Sequence, residues 1–212
     1  MKPVLSVLEG KWFANRPVST RELFVPLFNV WTRDPLETCH YEQFTNEAAF
    51  RAGIRYSFQK NRASTIYIGA HGSADAIHGF HDEGISRTVI RNAIREQPPG
   101  TKRGMYFGAC DFMTAANAKL LLNDCPRLSW VAGYAHSVNW TDSSILDLFF
   151  FRHYLFPTPG KGNKKPKTPK LRLEHAAEKV KTDLGPLAKR LRFKIYTRKA
   201  GGGLVELIDG NS

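Results

Sequence analysis

The 212-residue sequence predicts an α/β fold built on a mostly parallel, doubly wound sheet. Three observations carry that prediction. Short β-branched and aromatic runs alternate with amphipathic segments of helical period from residue 24 to residue 156. Two of the runs, residues 65–70 (TIYIGA) and 104–109 (GMYFGA), carry no charge, as strands buried on both faces require. Capping and breaking residues fall between the runs, where a strand-to-helix rhythm needs them.

In chain order, residues 4–13, with Val4, Leu5, Val7, Leu8 and Trp12 apolar, form an opening element whose type the pattern leaves open; Pro17 and Ser19-Thr20 punctuate it. Residues 24–32 read as a first buried strand, with Pro26 near its start, where a missing N–H is tolerated, and Asp34-Pro35 at its end. Asn46 caps a helix whose Ala49, Phe50, Gly53, Ile54 and Phe58 recur at helical spacing. The strand over 65–70 then delivers His71-Gly72, and residues 77–80 form a small hairpin arm. Ser86 caps a helix over 85–97, with Val89, Ile90, Ala93 and Ile94 on one face and Pro98-Pro99-Gly100 as its stop. The strand over 104–109 delivers Cys110-Asp111.

Thr114 caps a helix over 115–123 with Ala118, Leu121 and Leu122 inward; residues 129–138 make the next strand, and Thr141 or Asp142 caps the most apolar helix, 143–156. Residues 157–170, rich in Pro, Gly and Lys, read as a mobile surface loop. Leu173, Ala177, Val180, Leu184, Leu187 and Leu191 mark an amphipathic helix interrupted at Gly185-Pro186, where Pro186 starts a second short helix. Residues 193–197 and 204–208 flank Gly201-Gly202-Gly203 as a terminal hairpin.

The length suits a single domain over 1–212, with its core at about 24–156, the basic loop at 157–170 and a C-terminal helix and strands over 171–208. No apolar run approaches the ~20 residues that span a bilayer, and Glu9, Lys11 and Arg16 interrupt any signal segment, so a cytoplasmic protein without a membrane span is expected. Three cysteines without a CxxC pair make neither a disulfide framework nor a zinc site. The net charge of +12 is concentrated: residues 157–199 hold fourteen Lys/Arg against three acids, which leaves the rest of the chain nearly neutral. The basic balance therefore describes one late segment, not a globally cationic nucleic-acid binder.

The chemistry sits where the two uncharged runs end. In parallel sheets the carboxyl edge carries the working residues, and neighbouring strands ~4.8 Å apart would bring His71 and Cys110 to either side of a bound peptide bond. An imidazole within reach holds a cysteine as thiolate and serves as acid for the leaving group. The backbone N–H groups of Gly72 and Cys110 are the candidate oxyanion donors, glycine permitting close approach.

His71-Gly72 after one strand and Gly108-Ala109-Cys110 after the next resemble the paired motifs of caspase-like cysteine peptidases, the group of caspases, metacaspases, legumains, gingipains, separases and CHAT domains. Val131-Ala132-Gly133-Tyr134 leading into Trp140 and a long apolar helix is similar to the segment after the cysteine in CHAT-type members. The resemblance covers roughly residues 24–156. It implies a caspase-like three-layer sandwich with helices on both faces and a C-terminal hairpin. It also implies a thiol endopeptidase, with Cys110 as nucleophile and His71 as general acid/base. The chain departs from caspases in reading Gly108-Ala109-Cys110-Asp111-Phe112 where they carry Gln-Ala-Cys-Arg-Gly, and in a His-to-Cys spacing of 39 positions where they have ~50.

The resemblance further implies that Asp111 and the segment 136–143, including His136, Trp140 and Asp142, bind substrate. Carboxylates there would favour a Lys or Arg before the cut and would make residues 161–170 a candidate for self-cleavage, whereas both aspartates also suit helix caps. Cys39 and Cys125 read as structural thiols, and His136 reads as pocket lining before a competing base. His78 and His81, with Asp75, Asp82 and Glu83, match no standard ligand spacing, so no metal and no cofactor are expected.

The expected partners are a protein or peptide substrate and an activating or regulatory protein, in a bacterial defence or regulated-proteolysis setting. Two alternatives stand beside this reading. One is a non-catalytic caspase-like scaffold or adaptor. The other is a nucleic-acid-associated protein using residues 157–199, although that segment offers only Phe193 and Tyr196 for base stacking.

Overall fold

The computed structural model describes residues 5–12, 18–31, 39–59, 63–79, 84–158, 165–199 and 203–208. Its elements run β1 (Leu5–Gly10), α1 (Thr20–Trp31), β2 (Cys39–Phe44), α2 (Glu47–Gln59), β3 (Thr65–Gly69), then three short strands β4 (His71–Gly72), β5 (Ala76–His78) and β6 (Gly84–Ser86). There follow α3 (Arg87–Arg95), β7 (Arg103–Gly108), α4 (Ala115–Asp124), β8 (Leu128–Tyr134), α5 (Trp140–Leu155), α6 (Pro169–Arg190), β9 (Phe193–Arg198) and β10 (Leu204–Ile208). Seven strands form one sheet in the order β10-β9-β8-β7-β3-β1-β2. The five strands from β8 to β2 are parallel, and β9 and β10 close the other edge antiparallel. The chain is thus α/β with a mostly parallel sheet, as the alternation predicts.

Period-two alternation along the central strands splits the core in two. Ile66, Ile68, Met105, Phe107 and Val131 join Phe50, Ile54, Ile90, Ile94, Leu121 and Leu122 of α2, α3 and α4. Their strand neighbours Tyr67, Tyr106, Trp130 and Tyr134 turn the other way, toward Phe24 and Phe28 of α1, Phe150 and Phe151 of α5, and Val180 of α6. Among the described residues, three helices cover each sheet face, an arrangement compatible with a three-layer sandwich.

One expectation changes, and two stretches that the pattern left unassigned gain a structure. The strand expected over 24–32 is instead helix α1 as far as Trp31, residue 32 lying outside the described residues: Leu23, Phe24 and Phe28 are buried while Glu22, Val25 and Val30 face out, a one-sided stripe that no strand period produces. The open element at 4–13 contains β1 at Leu5–Gly10, a strand buried along its length and seated between β2 and β3, so the core begins well before residue 24. The polar run CHYEQF is β2, the edge strand, which needs only one apolar face.

Smaller shifts follow from capping. Asn139, not Thr141 or Asp142, caps α5 by accepting from the Asp142 N–H, so the strand over 129–138 ends at Tyr134 and the helix starts at Trp140. Ser86 and Thr114 cap α3 and α4. Leu184 interrupts α6 with φ −128°, and the stretch from Pro186 continues as a second helix. The arm after His71 is a three-stranded antiparallel sheet, β4-β5-β6; Phe80, His81, Asp82 and Glu83 lie outside the described residues, as do 159–164 of the basic loop.

Among the described residues no helix is long and apolar enough to cross a membrane.

Candidate active site

β3 and β7 are direct parallel neighbours in register, Gly69 opposite Gly108, and the Ala70 N–H extends the ladder by donating to Gly108 O at 3.4 Å. Two residues past each ladder end come His71 and Cys110. Both line one cavity of about 230 Å³, together with Trp12, Gly108, Val138, Asn139, Trp140 and Ser143. No described lining residue carries a carboxylate.

Cys110 sits on a turn fixed from two sides. Asp111 follows it with φ +58°, a left-handed conformation that aspartate tolerates better than most residues, and its N–H donates to His136 O at 3.1 Å. The Met113 N–H donates to Tyr134 O at 2.9 Å, so the end of β8 holds the turn in place. The half-buried Cys110 Sγ accepts from the Val138 N–H at 3.4 Å, and its thiol donates to Val138 O at 3.6 Å, distances suited to sulfur. Burial pushes both Cys39 and Cys125 up to about 12, which keeps them protonated at neutral pH.

His71 opens β4 with an exposed side chain. Its Nε2 lies 2.5 Å from the carbonyl of Trp12, and its ring meets the Trp12 indole edge-on, centroids 5.4 Å apart. A carbonyl only accepts, so Nε2 carries a proton, and in the neutral form of the ring that tautomer places the lone pair on Nδ1. Gly72 explains how the two strand ends come so close: a Cβ there would stand 2.7 Å from Cys110 O and 2.9 Å from Ala109 Cβ. Ser73 N–H donates to Ala76 O at 2.9 Å. Antiparallel alternation therefore turns the Gly72 N–H away from β5.

The remaining candidates separate. Trp140, first residue of α5, lines the cavity. Asp111 and His136 do not; they face each other at 4.0 Å, half exposed. Asp142 does not either, because its carboxylate accepts from Arg190 at 2.9 Å and Asn139 Nδ2 at 2.7 Å. Among the described residues no group of three or more metal-ligating side chains occurs.

Below the cavity lies a buried carboxylate. Asp147 of α5 accepts from Tyr67 on β3 at 2.7 Å, Tyr134 on β8 at 2.5 Å and Tyr106 on β7, three phenols from adjacent strands. Burial raises Asp147 to about 6 against the opposing pull of the phenols. Tyr134 also lies 3.1 Å from the carbonyl of Ser143, a cavity residue, and a Cβ on Gly108 would fall 2.1 Å from the Tyr67 hydroxyl, so this network forms the floor.

Sequence reasoning passed over Trp12 and Glu9, which organise the histidine side. Trp12 looked like one apolar residue of an ambiguous element, and no local pattern announces a carbonyl that meets a ring 59 positions away.

No family model matches the chain, and no curated protein matches it.

Proposed function

We propose that the chain is a cysteine endopeptidase of the caspase-like kind, with Cys110 as nucleophile and His71 as general acid/base. The observation that carries this reading is the convergence of both side chains on one cavity from adjacent, in-register parallel strands. The resemblance of His71-Gly72 and Gly108-Ala109-Cys110 to the paired caspase-like motifs, and a sheet covered by helices on both faces, agree with it.

The His71 tautomer sets the direction of proton flow. Nδ1 takes the Cys110 Sγ proton as sulfur attacks the substrate carbonyl carbon, and the oxyanion that forms draws on the Gly72 and Cys110 N–H groups. Collapse breaks the C–N bond, His71 returns its proton to the departing amine, and a thioester remains on Cys110. Water then attacks the thioester, giving a proton to Nδ1; the carboxylic acid leaves and the thiol is restored. Throughout, Nε2–H stays on the Trp12 carbonyl and holds the ring.

The cavity favours an uncharged side chain before the cut. Its walls include Trp12, Val138 and Trp140, and the carboxylate that would attract a Lys or Arg at 142 is engaged by Arg190. This replaces the basic preference expected from Asp111 and Asp142.

Incubating the purified chain with a diverse peptide library, with Cys110→Ala and His71→Ala in parallel, tests the reading. Cleavage after neutral residues that vanishes in both variants is expected. A parent that cleaves nothing, including with a cell extract added to supply an activator, would count for the non-catalytic scaffold instead.

A further inference from the structure

We infer that Glu9 is the positioning residue of the His71 imidazole, acting through Trp12; this rests on the dyad reading above. Glu9 is the fifth residue of β1 and is 1% exposed. Its carboxylate collects five donors. Oε1 accepts from Trp12 Nε1–H at 2.7 Å, from the Thr20 N–H at 2.5 Å and from the Thr20 hydroxyl at 2.8 Å. Oε2 accepts from the Ser19 hydroxyl at 2.9 Å and from the Tyr41 hydroxyl.

A buried carboxylate is costly unless its lone pairs are occupied, and here they are. The donors come from the segment after β1, from the first turn of α1 and from the edge strand β2, so one side chain fixes three pieces of chain against each other. The start of α1 adds a favourable dipole.

What Glu9 fixes matters because His71 is exposed. An exposed imidazole on a two-residue strand samples several rotamers and both tautomers unless something holds it. Trp12 meets it twice, with its carbonyl at Nε2 and its indole edge against the ring. Trp12 lies two residues beyond β1 and outside regular structure, and its indole N–H is anchored on Glu9. Loosening that anchor releases the carbonyl and the ring contact together. The line Glu9, Trp12, His71 thus does for this site what an orienting third group does for other nucleophile and base pairs.

The test separates positioning from mere packing with Trp12→Phe. That variant keeps an aromatic ring and a carbonyl at position 12 and all four other donors on Glu9, and removes the indole N–H together with part of the ring's bulk. Long-range ¹H–¹⁵N spectra of ¹⁵N-histidine-labelled chain read the His71 tautomer, and iodoacetamide, which reacts with thiolate, reads Cys110. The parent should show the proton on Nε2. Trp12→Phe should show a mixture of tautomers and a Cys110 alkylation rate lower by about five-fold or more. Glu9→Gln, whose amide oxygen still accepts from the indole, should retain the parent's tautomer and most of its rate, whereas Glu9→Leu should not. A Trp12→Phe chain with the parent's tautomer and rate overturns the role of Glu9. If His71→Ala slows alkylation while Trp12→Phe does not, the dyad stands and the positioning role falls. If His71→Ala leaves alkylation unchanged, both fall.

Discussion

Asp147 is fully buried beneath the cavity and takes its hydrogen bonds from three phenols, which determines how it responds to pH. Its carboxyl titrates at about 6 in the folded chain, against an ordinary value of 3.8. Between those values the native state holds a proton that the unfolded chain has released, so stability from this group is present below pH 4 and is lost as pH rises through 6. The loss is on the order of 2–3 kcal/mol. Chemical denaturation at pH 4.5 and pH 7 should show Asp147→Asn gaining on the parent as pH rises; equal pH dependence in the two chains would contradict this. Gly72 makes a second prediction at the same scale. A methyl group at 72 must displace the Cys110 carbonyl, so Gly72→Ala should cost about 1–3 kcal/mol of stability and slow Cys110 alkylation. An unchanged denaturation midpoint and rate would show that the strand ends are not packed so closely.

Among the elements, α1 gives the sharpest test because its interior holds an exposed proline. Pro26 lacks the N–H that the helix would use and crowds the preceding turn. Pro26→Ala should therefore stabilise the chain by about 1–2 kcal/mol, read from the denaturation midpoint; a loss of stability would argue against a helix there. The α5–α6 contact predicts the opposite pH trend to Asp147. Burial lowers His153 to about 4 and lowers His175, and their rings lie 5.8 Å apart with neighbouring Arg152 and Lys179 adding to the effect and Asp183 opposing it at His153. The unfolded chain binds protons there that the native chain does not, so this contact is intact above about pH 6.5 and weakens as pH falls toward 4. His153→Phe should leave the chain less sensitive to acid, measured by the midpoint at pH 5 relative to pH 7.

These elements also show what the sequence can and cannot announce. The strands at 65–70 and 104–109 were legible because central parallel strands are apolar on both faces, and their neighbouring placement in the sheet follows the expected rhythm. α1 was misread because Phe24, Val25, Leu27, Phe28 and Val30 are dense enough to hide a helical stripe, and Pro26 suggested a strand edge. β2 was missed because an edge strand covered on one face can be polar. On the site, the two reactive residues were visible at strand ends. Glu9 and Trp12 were not, since their roles depend on contacts with Thr20, Tyr41 and His71 that no sequence period encodes.

At the scale of the whole molecule, charge and chemistry occupy different places. The basic surplus lies on α6 and its flanks, where Lys165, Lys167, Lys170, Lys181 and Lys189 are exposed while Leu173, Ala177 and Val180 pack inward. Exposed charges of this kind contribute little to folding, so reversing Lys181 and Lys189 to Glu should change stability by less than about 1 kcal/mol. The cavity lies at the carboxyl edge of the sheet, bounded by uncharged walls. The central claim concerns that cavity, and Cys110 offers the most direct access to it. Intact-protein mass spectrometry after a short exposure at neutral pH to a peptide electrophile with an uncharged terminal side chain measures it. One adduct per chain is predicted, mapped to Cys110, lost in Cys110→Ala and strongly slowed in His71→Ala. Adducts on Cys39 or Cys125 instead, or labelling of Cys110 indifferent to His71, would contradict the account.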